Sequence, residues 1–366
     1  MLVDRNFWNG KTVLITGHSG FKGCWLSLAL QELGASVIGV SLDPETPRQP
    51  FVAMGPWAGV ETLWGDVAEA TIARELELRS EIQVIMHLAA QPLVAAGFAD
   101  PIETFRTNVV GTARVLELAR KLHSVEAVLV VTTDKVYDDD AGSAQPFAET
   151  APLGGTDPYS ASKVGSEFVA TTYARSFLEE QGVPVGTARA GNVIGGGDFA
   201  AHRLLPDLWR ACEQRRSVGL RQPEGVRPWQ FVLEPLLGYL AYVEALSGDR
   251  GAESVPRALN FGPSADDEWT NRRVAQRAGD LLGWPECWHV AEAEVMFREA
   301  DKLTIDPTLA GRILDWQTKL DVEESLAWSC DWYREFSRSG SEMREFSARQ
   351  VRDYLGLVGV PASTDA

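Results

Sequence analysis

Three glycines, Gly17, Gly20 and Gly23, follow a short apolar run at residues 11–16 and open an apolar-periodic stretch at 21–33. This order of strand, glycine turn and helix constrains the fold more than any other feature of the chain. Glycine there lets the backbone turn tightly, leaves amide N–H groups open at a helix N-terminus and lets the helix pack close to a sheet. Further β-like runs stand at 36–42, 60–64, 84–88, 127–131 and 185–190, most of them separated by enough residues for a crossover helix. One such helix is expected over 101–122, where Thr104, Val109, Ala113, Leu116 and Ala119 share a face. Alternation of this kind implies an α/β fold with a doubly wound parallel sheet.

After 131 the regularity loosens. Residues 138–158, rich in Asp, Gly, Ala and Pro, read as a loop leading into a long helix at 159–180. Helices are expected at 204–214, 229–246, 269–282, 322–337 and 342–355, with a strand at 218–220. The organisation expected is a Rossmann-type domain over 1–190, to which some later segments return. A smaller C-terminal mixed α/β substrate lobe over 191–357 and a frayed tail at 358–366 complete it.

Composition removes several classes of function. Of 366 residues, 51 are acidic and 34 basic, a formal charge of −17, which repels a nucleic-acid backbone and offers no basic stripe. A phosphorylated small molecule is still compatible, because a few arginines and backbone N–H groups act locally. The four cysteines and five histidines form no ligand-spaced cluster, so no metal is expected. No apolar stretch is long enough for a membrane span, and residues 1–10 lack a signal-peptide layout, so a cytoplasmic protein is expected.

A glycine triplet alone is weak, since 33 glycines produce spaced triplets by chance. Its neighbours strengthen it. Asp43 lies 20 residues beyond Gly23, where a carboxylate would accept from an adenosine ribose and repel a 2′-phosphate, favouring NAD over NADP; it would equally cap the turn before Pro44. Phe21 and Lys22 complete the turn. Asp66-Val67 and Leu88-Ala89-Ala90 follow the third and fourth strands, where a dinucleotide passes over strand ends.

Tyr159 and Lys163 are spaced i, i+4 and share a helix face. A phenol with a pKa near ~10 becomes a base at neutral pH only beside positive charge, which a lysine ammonium supplies. Thr133, ending the fifth strand, adds a hydroxyl. Isolated, the Tyr/Lys pair would be an exposed helix pair of small effect.

Gly17–Gly23 (GHSGFKG), AAQPLV at 89–94, TNVVGT at 107–112, TDKVY at 133–137, PYSASK at 158–163, RAGNVIGGGD at 189–198 and RPWQFVLEP at 227–235 occur in order over nearly the whole chain. In these the chain resembles the extended short-chain dehydrogenase/reductase family of NAD-dependent epimerases and dehydratases, and within it the CDP-glucose 4,6-dehydratases. The resemblance implies a lyase acting on a nucleotide sugar, with Thr133, Asp134, Lys135, Tyr159 and Lys163 catalytic. Thr107 and Asn108 join the NAD site. Gln91, Thr133, Asn192, Arg203, Leu204, Arg227 and Asn260 approach the substrate. A homodimer through 101–122 and 159–180 is implied as well.

The implied reaction oxidises C4 of the hexose, removes the C5 proton and the C6 hydroxyl, and returns the hydride to C6. The resemblance implies Asp134 as the acid and Lys135 as the base, or, if Lys135 keeps its own proton, as a stabiliser of the developing enolate; relatives with a dTDP carrier have Glu at the latter position. Other readings are a 4,6-dehydratase of another nucleotide sugar, a 4-epimerase that needs neither Asp134 nor Lys135, and a non-catalytic NAD-binding sensor. One residue departs from the pattern: Phe231 stands where the family usually has His, which alters base or sugar preference if it meets the ligand and is benign if it packs beneath.

Overall fold

A computed structural model describes residues 2–361 except 45, 47, 139–144, 249–254, 264–268, 292–302 and 341. Seven strands form one sheet: β1 (Thr12–Thr16), β2 (Ser36–Ser41), β3 (Val60–Trp64), β4 (Val84–His87), β5 (Ala127–Val131), β6 (Val185–Ala190) and β7 (Ala258–Phe261). Their order is β7-β6-β5-β4-β1-β2-β3, and every pairing is parallel. The winding reverses between β1 and β4, and in open α/β sheets the crevice outside the strand ends at such a reversal receives ligands.

The central strands form where they do because both faces are covered. Every residue of β4, β5 and β6 is buried, and β4 and β5 are built almost wholly from Val, Ile, Leu and Met. On one face the core gathers Trp25, Leu28, Trp209, Leu236 and Trp332; on the other, Leu14, Ile38, Ile85, Leu116 and Val128. Helix α1 (Phe21–Glu32) follows the glycine turn, α2 (Pro158–Tyr173) carries the Tyr/Lys pair, and α3 (Leu233–Ser247) crosses before β7.

The strands expected at 60–64, 127–131, 185–190 and 218–220 and the helix at 204–214 occur with those bounds. Other elements differ. The helix expected over 101–122 is interrupted by a wide π turn at Arg106–Val110, and the helix starting at Pro158 ends in another at Ala174–Leu178. The helices expected from 229 and 269 begin later. Gln230–Phe231 first pairs with Val193–Ile194, and Trp269–Thr270 with Val226–Arg227, so each apolar run opens as strand. The tail is not frayed where described: Val358 and Val360 are buried, and the Val358 carbonyl accepts from Leu2 N. Residues 362–366 of that expected tail lie outside the described residues.

Candidate active site

The glycine turn is built by exclusion. Gly17 has φ +78°, and a Cβ there would lie 2.8 Å from Ala89 N; a Cβ on Gly23 would lie 2.1 Å from the Gly17 carbonyl oxygen. A side chain at Gly17 would meet the backbone that follows β4, and one at Gly23 would push α1 off the turn that follows β1. Gly20 is the N-cap of α1 and offers no side-chain cap, so the first amides of the helix face the cavity without a side-chain acceptor. The cavity, about 2050 Å³, runs from Asp43 and Asp66 past Gly17–Gly23 to Tyr159 and Lys163, and on to Arg203, Arg227 and Asn271.

At its centre stand groups from two elements. Asp157 caps α2 by accepting from Tyr159 N at 2.9 Å and Ser160 N at 3.0 Å, which sets the first turn that presents Tyr159. Burial pushes the Tyr159 phenol up to about 12, while the Thr133 hydroxyl draws it the other way. One turn on, burial lowers Lys163 to about 8 against the opposing charge of Glu167, and its Nζ donates to the Val131 carbonyl at 2.8 Å.

A short 3₁₀ turn, Asp134–Val136, leaves β5 with Thr133 as its N-cap. The Thr133 hydroxyl donates to Asp134 Oδ1 at 3.0 Å, whereas Oδ2 is buried without a partner among the described residues. Burial raises the Asp134 carboxyl, opposed by Lys135, the Thr133 hydrogen bond, Arg227 and Lys22. Lys22 lines the same space, is lowered to about 8 by burial and by Arg203, and lies 5.8 Å from the centre of the Tyr239 ring. The site therefore holds a phenol, an acid that resists ionisation and several amines around one cavity, which suits proton transfer at an oxidisable carbinol.

The model for the NAD dependent epimerase/dehydratase family matches residues 13–254. The chain is 38% identical to a CDP-glucose 4,6-dehydratase of Salmonella typhimurium over 359 residues, 97% of this chain and 99% of that one. The chain belongs to the NAD dependent epimerase/dehydratase family. A dTDP-glucose 4,6-dehydratase of Mycolicibacterium smegmatis is 28% identical over 88% of this chain and 93% of its own length. Among solved structures, a dTDP-glucose 4,6-dehydratase of Streptomyces venezuelae with NAD bound superposes with TM-score 0.74 at 25% identity, covering 90% of this chain and 99% of that one. An epimerase of Methanothermobacter thermautotrophicus shares the fold, with TM-score 0.80 at 23% identity over 92% and 96%.

The cofactor of this epimerase/dehydratase fold is NAD, and the residues present fit it: an uncapped helix terminus, a glycine cradle that tolerates no Cβ, and a continuous cavity past both. Phe21, Leu88, Ala89, Ala90, Val67, Thr107, Asn192 and Leu204 line that cavity with the residues already named. Asp43 stands exposed at its edge. Asp66 accepts from Ala68 N at 2.8 Å and pairs with Arg106.

Three residues expected at ligand do not line the cavity. Gln91 donates to Thr104 Oγ1 at 2.9 Å and accepts from Leu93 N at 2.6 Å, so its amide closes its own loop. Asn108 sits in the π turn, accepting from Gln91 N and donating to Ser162 Oγ, and ties that loop to α2. Asn260, on β7, accepts from the Tyr137 hydroxyl and donates to the Phe147 carbonyl. A motif marks such positions equally whether a side chain meets ligand or backbone.

Phe231 is fully buried against Trp25, Trp328 and Tyr354, so the departure from the family's His lies beneath the site rather than in it. The sequence reading missed Asp157, although the Asp-Pro start of α2 is a legible cap. It also missed Asp198, which holds Arg203 at 2.9 Å, and the buried Glu167–Arg189 pair under Lys163.

Proposed function

We propose that the chain converts CDP-D-glucose to CDP-4-dehydro-6-deoxy-D-glucose and water. The observation that carries this is the cavity in which Tyr159 and Lys163 meet Asp134, a buried carboxyl with one oxygen unpaired. Full-length likeness to the Salmonella dehydratase supports it. Held at the glycine turn and the N-terminus of α1, NAD would supply a hydride acceptor for C4 and a hydride donor for C6. Tyr159 takes the proton of the C4 hydroxyl, with Thr133 bonded to the same oxygen and Lys163 favouring the phenolate. Asp134, whose ionised form burial disfavours, gives its proton to the leaving C6 hydroxyl, and Lys135 takes the C5 proton and gives one back to C5 as hydride reaches C6. Arg203 and Arg227, with Asn192 and Leu204, hold the nucleotide on the side supplied by residues 191–357; a guanidinium fork suits a diphosphate.

The proposed assembly is a homodimer through the helices at 101–122 and 159–180, whose Ile102, Phe105, Val110, Phe168 and Phe177 are exposed. The proposed location is the cytoplasm; no described helix is long and apolar enough to cross a membrane. The product class suits deoxysugar synthesis for surface polysaccharide such as O-antigen. Purified protein incubated with CDP-, dTDP-, UDP- and GDP-glucose should yield a 4-keto-6-deoxy product from the first, seen by alkaline absorbance and mass loss of one water. Absence of product from all four overturns the dehydratase reading; C4 inversion without water loss replaces it with an epimerase.

A further inference from the structure

One helical turn beyond Lys163, on the same face of α2, Glu167 is buried with only 4% of its side chain accessible. Its carboxylate is fully occupied. Oε1 accepts from Thr132 Oγ1 at 2.6 Å and Arg189 Nε at 2.9 Å; Oε2 accepts from Thr187 Oγ1 at 2.8 Å and Arg189 Nη2 at 3.0 Å. Arg189, on β6, also donates through Nη1 to the Tyr137 hydroxyl at 2.9 Å and the Glu149 carbonyl at 3.1 Å. Burying an ion pair is costly even when every hydrogen bond is made, and a hydrophobic pair of similar volume is often as stable. None of the steps proposed above consumes this pair.

Lys163 supplies a use. Its ammonium carries three donors and sits 5% exposed, with the Val131 carbonyl, a neutral group, as acceptor. Burial works against its charge, and the opposing field is that of Glu167. The other groups around this pair do not replace it. On α2 itself Tyr159 is an un-ionised phenol; from β4, His87 is held neutral by burial between Thr16 and Thr112. From α1, Lys22 adds like charge. Burial disfavours the ionised form of Asp134, after β5. From β6 Arg189 is committed to Glu167; Tyr242 on α3 is a buried phenol, and Arg203 bears on Tyr159.

We propose that Glu167 is a positioning residue for the redox step: anchored by Arg189, Thr132 and Thr187, its carboxylate keeps Lys163 charged and directed along the helix face that carries Tyr159. The interaction acts through the low-dielectric interior between side chains one turn apart rather than through a direct ion pair. This rests on the reading of Tyr159 and Lys163 as the redox pair.

The test is the titration of Lys163, followed by heteronuclear NMR at the lysine ε-carbon, together with the pH dependence of NAD reduction by CDP-glucose. Glu167→Gln alone leaves Arg189 buried without its counter-charge and is expected to unfold easily, so the informative variants are the neutral pair E167Q/R189Q and the charge-conserving E167D. In the neutral pair the Lys163 midpoint should fall by roughly one pH unit, a tenfold change in the ammonium-to-amine ratio. The alkaline limb of kcat should move down with it while KM holds. E167D should keep the wild-type midpoint even where its melting temperature drops. A folded E167Q/R189Q with an unmoved Lys163 midpoint overturns the proposal, as does an E167D midpoint displaced as far as that of the neutral pair. The NMR readout needs no turnover, so failure of the dehydratase assay would not be mistaken for failure here.

Discussion

Asp134→Asn separates elimination from oxidation. In the structure Oδ1 is held by the Thr133 hydroxyl, and Oδ2 is the unpaired atom left to protonate a leaving hydroxyl. Asparagine with its oxygen at Oδ1 keeps the Thr133 bond and places a non-transferable amide at Oδ2. General acid catalysis is worth about 10²–10⁴-fold, so dehydration should slow by that factor while the first hydride transfer persists. Mixing D134N with CDP-glucose should therefore produce NADH absorbance that builds up and decays slowly, with 4-keto-6-deoxy product appearing on the slower timescale.

Folding provides the control. Burial raises the Asp134 carboxyl above its unfolded value, so the native state disfavours the ionised form, and stability is lost as pH rises through the folded pKa. Removing the charge should leave the melting temperature at neutral pH unchanged or higher. A D134N protein that folds as the wild type and still forms product within tenfold of its rate refutes the assignment of Asp134 as the acid.

Other substitutions should separate just as cleanly. Tyr159→Phe should abolish NADH formation and product together by about 10²-fold or more, because the phenol hydroxyl is the only atom removed and the base goes with it; stopped-flow absorbance checks it. Phe231→His should lower the melting temperature by several degrees, since an imidazole replaces a ring packed against Trp25, Trp328 and Tyr354, yet leave the ranking of CDP- over dTDP-glucose intact. Glu234 and Glu244, both on α3, are each raised to about 7, by burial first. Such groups stabilise fully below the unfolded value and lose that contribution as pH rises through 7. E234Q and E244Q should thus flatten the fall in melting temperature between about pH 5 and pH 8, measured by calorimetry.

The central strands were legible because they must be apolar on both faces, and such runs as AVLVV at 127–131 suit only a covered sheet. Strand β7 was not, since ALNF at 258–261 is short and becomes a strand only by pairing with β6. The glycine turn was legible because its backbone leaves no room for a Cβ at Gly17 or Gly23, and the grouping of Tyr159 with Lys163 because i, i+4 spacing puts both on one helix face at the cavity. Gln91, Asn108 and Asn260 could not be placed from sequence, since an amide serves a ligand or a loop equally, and in the structure each bonds within the protein. Glu167 stood at a readable i+4 spacing from Lys163, but its partner Arg189 lies on β6, and only tertiary structure pairs them.

The same local logic explains how a chain of formal charge −17 holds a diphosphate. At long range such a net charge would repel the ligand; at the cavity Lys22, Lys135, Arg203 and Arg227, with the uncapped terminus of α1, would attract it. Salt screens the two unequally. Over a Debye length of about 8 Å near physiological ionic strength the diffuse repulsion is weakened, whereas contacts made inside the cavity are screened much less. KM for CDP-glucose should therefore stay flat or fall as salt rises from low to roughly physiological strength. A surface basic patch would give the reverse, because its attraction is the part that screening removes. A KM that climbs tenfold over that range would mean that exposed charge, and not the cations set into the cavity, holds the nucleotide.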